Sequence, residues 1–140
     1  TDDIFLNKLS ELRQSKLPNE TGGILIGSYD RLRKICYIVD TIPSPVDSIE
    51  WPTVYIRGVR GLDNALRKIT KATDDNLGYI GEWHSHPKGA SCAPSGDDYK
   101  AFIWLTDVMA DYGLPALMII VSDEKGIYLG QMIKGKKNKL

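Results

Sequence analysis

His84-Ser85-His86-Pro87, followed after seven residues by Ser95-Gly96-Asp97-Asp98, is the stretch on which the reading of this 140-residue chain turns. In an extended segment alternate side chains share a face, so His84 and His86 aim both imidazoles at one point. Asp98, returning to that point on the next element, would complete a set of two nitrogens and one carboxylate oxygen. Such a set is the half-open tetrahedron of a catalytic zinc, whose fourth position is left to water. Taken alone, His-x-His is a weak signal, because two histidines on one strand face are commonly surface or core residues. The chain holds 2 histidines, however, and both lie in this tripeptide, which chance placement explains poorly.

The flanks of the motif read as strand, loop and helix. From Tyr79 to His84 the pattern predicts a strand; counted by twos, Glu82 shares the face of the histidines, while Trp83 and Tyr79 point away. Glu82 is therefore either an acidic group serving the metal, from the second ring of contacts, or a salt-bridged strand residue. Lys88 to Pro94 forms a loop. Ser95, followed three residues later by an acid and then by Tyr99, Phe102 and Ile103, is a capping box, so a helix begins there and runs to about Tyr112, with Gly113 as its stop. Capping and ligation are compatible, since the cap fixes the turn that presents Asp98.

Far upstream, Glu20-Thr21-Gly22-Gly23-Ile24-Leu25-Ile26-Gly27 reads as the start of a buried strand whose glycines admit a neighbouring backbone. Glu20, His84-Ser85-His86-Pro87 and Ser95-x-x-Asp98 together resemble, in order and spacing, the JAMM (JAB1/MPN/Mov34) metallopeptidases, over about Glu20 to Gly130. The resemblance implies one zinc ion on His84, His86 and Asp98. It implies Glu20 as the general base in preference to Glu82, and Ser95 as a hydrogen-bond donor to the oxyanion. The implied fold is a curved mixed β-sheet flanked by helices, JAB1/MPN-like and cytidine-deaminase-like, and the order of strands and helices independently gives the α/β (α+β) class.

Within that family the run Tyr79 to Pro87 on a small domain is similar to the bacterial stand-alone branch. Its members accompany E1- and E2-like conjugation enzymes in anti-phage operons, where a cyclic-nucleotide synthase is conjugated to targets. The resemblance thus implies an isopeptidase that cleaves after the C-terminal glycine of a ubiquitin-like or C-terminally conjugated protein. Three alternatives stay open: a non-catalytic MPN-type scaffold or binding module, a peptidase that processes sulfur-carrier proteins or small peptides, and a DNA-repair-associated member of the fold. A zinc deaminase is set aside, because it needs His-x-Glu with Pro-Cys-x-x-Cys and neither occurs.

Composition narrows the classes further. Lys plus Arg and Asp plus Glu each count 18, a net charge of zero that argues against nucleic acid as a partner. No apolar run approaches the roughly 20 residues needed to span a bilayer, and no leader-like stretch opens the chain, so no membrane partner is expected. The chain starts at Thr1, which reads as a trimmed terminus. Two cysteines are too few for a disulfide framework and fit a cytoplasmic setting. Cys36 reads as a core residue; Cys92, in the loop between the motifs, is either inert or close to the metal.

One domain, residues 1–133, followed by a basic flexible tail, residues 134–140, is the expected organisation. Asp2 or Asp3 caps a first helix carrying Phe5, Leu9 and Leu12, whose role is packing. Two largely buried strands, 21–28 and 34–42, form a hairpin. Pro43, Pro45 and Pro52 bound an exposed loop in which Ile49 and Trp51 either meet a partner or fold back on the core. A short strand at 53–57 precedes a helix with Leu62, Ala65, Leu66 and Ile69 on one face. Strands at 115–122 and 127–133, joined by a turn at 123–126, complete the domain.

Overall fold

The computed structural model describes residues 3–123, 126–133 and 136–139. In chain order the elements are α1 (Asp3–Lys16), β1 (Gly22–Asp30), β2 (Ile35–Pro43), β3 (Ile49–Trp51), β4 (Val54–Ile56), α2 (Leu62–Ala72), β5 (Gly78–Ser85), α3 (Gly96–Ala110), β6 (Ala116–Val121), β7 (Ile127–Ile133) and β8 (Lys136–Lys139). Six strands make one sheet in the order β2-β1-β5-β6-β7-β8, and β3 pairs with β4 in a separate hairpin. β5 and β6 are parallel, because α3 carries the chain back between them; the other neighbours are antiparallel. This mixed sheet between helices is the expected α/β class.

The sheet is covered on both faces. On one, Phe5 and Leu9 of α1 pack with Leu25, Trp83, Leu117, Ile119 and Val121. On the other, Leu62 of α2 meets Ile24 and Ile26, while Phe102, Leu105 and Met109 of α3 meet Ala116, Met118 and Ile120. β6 serves both layers with alternate residues, which is why its sequence is apolar without interruption. Burial of a large aliphatic side chain contributes about 1.5–3 kcal/mol, so this strand anchors the domain.

Two expectations need correction. β2 is not largely buried: it is an edge strand with a neighbour on one side only, and Ile35, Tyr37 and Val39 are exposed. The proline-bounded loop contains β3, since a two-stranded hairpin needs no amide from Pro52 at its turn. Within the tail, Lys136–Lys139 pairs with β7 through backbone groups. Thr1, Asp2, Glu124, Lys125, Lys134, Gly135 and Leu140 lie outside the described residues. No described helix is long and apolar enough to cross a membrane.

Candidate metal centre

β5 delivers the two histidines at its end. The strand is fastened there on both sides: the Ser85 N–H donates to the Thr21 carbonyl at 2.8 Å, the Thr21 N–H donates to Ser85 Oγ at 2.9 Å, and the His86 N–H donates to Val121 of β6 at 2.9 Å. Trp83 points to the opposite face as expected, its Nε1 donating to Thr41 Oγ1 at 2.8 Å. Tyr79 does not. The β1–β5 register shifts so that Leu25 faces Gly81 and Ile26 faces Tyr79, leaving Ile80 as a bulge residue that switches Tyr79 to the side of Glu82.

α3 brings the third group. Ser95 caps the helix: its Oγ accepts the Asp98 N–H at 3.1 Å, and its own N–H donates to Asp98 Oδ2 at 2.8 Å. The box holds the Asp98 carboxylate so that Oδ1 lies 2.9 Å from His84 Nε2 and Oδ2 lies 3.0 Å from His86 Nε2. One ligand atom from each of His84, His86 and Asp98 falls within 4.8 Å of the others. The two expected behaviours of Ser95 to Asp98 therefore coexist.

The donor set fits a metal on chemical grounds. His86 Nδ1 lies 2.7 Å from the Ser91 carbonyl, which only accepts, so Nδ1 carries a hydrogen and Nε2 is left to coordinate. His84 Nε2 is buried and, despite its nearness to Asp98, makes no hydrogen bond of adequate geometry. A buried ring nitrogen with no hydrogen-bond partner among the described residues, beside a second nitrogen and a carboxylate, suits zinc. Burial raises the Asp98 pKa, but the two histidines pull it far below the usual carboxylate range. The Asp98 contact in turn raises His86.

Glu20 is buried just before β1, its N–H donating to the Trp51 carbonyl of the hairpin at 2.9 Å. It borders, with His84, His86, Ser95 and Asp98, a cavity of about 820 Å³ that is also lined by Val54 and Ile56 of β4 and by Ala101 and Trp104 of α3. Burial pushes the Glu20 carboxyl upward, against the pull of His84 and His86. Glu82 borders the same cavity, yet its oxygens are taken by Arg57 Nε at 2.6 Å and by the Tyr79 hydroxyl. Of the two readings of Glu82, the salt-bridged strand residue is the one observed. Cys92 packs against the α3 cluster and is not part of the ligand group. Trp51 is 65% exposed, so it does not fold back on the core.

The sequence reading missed Arg13. This residue of α1 is 2% exposed and donates from Nε to the His86 carbonyl at 3.1 Å. A signal was present: Phe5, Leu9 and Arg13 recur at four-residue spacing, placing an arginine on the apolar stripe.

The profile of the family described as prokaryotic homologs of the JAB domain matches residues 4–131. A protein of Enterobacter hormaechei subsp. hoffmannii (strain UCI 50) named CD-NTase/cGAS isopeptidase is 43% identical over 114 residues, 79% of this chain. The match spans 59% of that relative's length. Among solved structures, a protein from Desulfitobacterium hafniense superposes with a TM-score of 0.62 at 16% identity, over 99% of this chain and 86% of that one. A JAB1/MPN domain protein from Archaeoglobus fulgidus gives 0.53 at 22%, over 97% and 91%.

Proposed function

The chain belongs to the prokaryotic homologues of the JAB domain, and from that premise we propose that it is a zinc-dependent isopeptidase cleaving after the C-terminal glycine of a ubiquitin-like or C-terminally conjugated protein. The observation that carries the reading is the meeting of His84, His86 and Asp98 beside Glu20, on one cavity. Zinc held by the three residues supplies Lewis acidity toward water and the scissile carbonyl.

The rest falls to side chains. Glu20 takes a proton from the attacking water and passes it to the departing amine, a transfer its buried setting favours. Ser95 Oγ accepts the Asp98 N–H, so its hydroxyl hydrogen remains to be donated to the carbonyl oxygen as charge develops there. The cavity between β4 and α3 suits an extended chain end, with Val54, Ile56 and Trp104 against its apolar parts.

The substrate follows from the same reading. The relative's name, CD-NTase/cGAS isopeptidase, supports a conjugate of a cyclic-nucleotide synthase; attachment by E1- and E2-like enzymes in a cytoplasmic anti-phage system is what the resemblance of the motifs adds to the proposal. Elemental analysis of wild type and His86→Ala, paired with cleavage of a synthase tail fused through its terminal glycine, tests the proposal. About one zinc per chain, lost in the variant together with cleavage, is the expected result. A folded wild type that takes up no metal when zinc is supplied would sink it.

A further inference from the structure

Arginine is seldom buried, because removing its charge from water is costly unless partners replace the hydration. Arg13 is 2% exposed, and its partners are few and specific. Nε donates to the His86 carbonyl at 3.1 Å, and Nη2 meets Asp123 Oδ1 at 2.7 Å. The second oxygen of Asp123 accepts the Gly89 N–H at 2.6 Å. Gly89 has φ +85°, a conformation that places its amide toward Asp123 at little cost only because it lacks a Cβ. Two residues on, the Ser91 carbonyl accepts the His86 ring at Nδ1.

The contacts close a ring from the His86 carbonyl through Arg13, Asp123, Gly89 and Ser91 to the His86 imidazole. With the His86 N–H on Val121, the backbone and Nδ1 of this residue are held on the protein side, and Nε2 faces Asp98 Oδ2 at 3.0 Å. We propose that Arg13, on the helix farthest in sequence from the motif, is a positioning residue: it clamps the segment 86–91 and so fixes the direction in which His86 presents Nε2. The inference rests on the metal reading of the centre and adds to it a residue that touches neither metal nor substrate. Orientation of a ligand by its outer contacts commonly changes metal affinity about 10–100-fold.

The test compares Arg13→Leu, Asp123→Asn and, as a control that loosens α1 without touching the ring, Leu12→Ala. Zinc affinity is measured by chelator competition, ligand geometry by the visible spectrum of the cobalt-loaded protein, and clamping by hydrogen exchange of residues 86–91 without metal. Arg13→Leu should weaken zinc at least tenfold, alter the cobalt spectrum and speed exchange, whereas Leu12→Ala leaves all three unchanged. If Arg13→Leu does not fold, Asp123→Asn decides, with an expected loss of several-fold and faster exchange at Gly89. Unchanged affinity and exchange in a folded Arg13→Leu, or in Asp123→Asn, would overturn the proposal. Wild type without metal affinity, but with exchange that rises in the variants, would remove the metal reading and leave the clamp.

Discussion

Glu82 and Arg57 form an ion pair, Oε1 to Nε at 2.6 Å, with both side chains largely withdrawn from water. The pair, together with the Tyr79 hydroxyl, uses both oxygens of Glu82. Among the described residues no hydrogen bond or ion pair is seen on the Glu20 carboxylate, which lines the cavity with His84, His86 and Asp98. On the proposed function, the two glutamates divide into a structural and a reactive one.

Glu20→Gln should keep its metal and lose at least about 100-fold in cleavage, because the amide cannot carry the proton. Glu82→Gln should keep most of its turnover but lower the unfolding free energy by about 1–3 kcal/mol, since Arg57 is left without its counter-charge. Urea midpoints beside single-turnover rates check both. The reverse pattern, with Glu82→Gln inactive and Glu20→Gln active, would exchange the roles.

Ser95 and Asp98 share a cap but not a chemistry. Ser95→Ala should cost about 1 kcal/mol of stability from the lost cap, retain the metal, and reduce turnover by about 10²–10³ through the lost oxyanion donor. Asp98→Ala should lose metal as well, so that added zinc no longer raises its melting temperature. A zinc-dependent melting shift of wild-type size in Asp98→Ala would remove that residue from the ligand set.

A methyl group added at Gly22 would collide with the Trp83 carbonyl oxygen of β5 and with the Tyr55 ring of the hairpin. Gly22→Ala must therefore part β1 from β5 two residues from Glu20. A loss of about 1–3 kcal/mol is expected, accompanied by weakened cleavage. Wild-type values for both would mean that the strands separate without disturbing the centre.

Acid should loosen the loop anchor. The Gly89 N–H, and then Arg13, hold the Asp123 carboxyl below its ordinary value. A depressed folded-state pKa means that the unfolded chain binds more protons, so the contribution of Asp123 is complete above about pH 4 and is lost as the pH falls through the folded value. Unfolding midpoints between about pH 5 and pH 3 should fall less steeply in Asp123→Asn than in wild type. Parallel curves would deny the carboxylate this part.

How much of this was legible beforehand depended on whether local chemistry or distant contact decided the feature. His84 and His86 share a face by strand geometry alone, and Ser95 to Asp98 announce a helix start, so the meeting of these side chains and the cap could be read from spacing. Tyr79 was misplaced because a one-residue bulge at Ile80 resets the alternation, and nothing in the local sequence marks it. The exposure of β2 depended on its place in the strand order, and β8 on a backbone pairing to which its lysines contribute no pattern. Arg13 shows the same limit: its place on the apolar stripe was visible, but its target lies 73 residues away.

Thr21 and Ser85 stitch β1 to β5 through backbone and side chain alike, one residue from Glu20 and one from each histidine. Glu20, His84 and His86 consequently ride on one stitched panel, and Asp98 and Ser95 come up to it on α3, across the loop from Lys88 to Pro94. The centre is therefore closed by bringing a helix up to a seam that is already sewn.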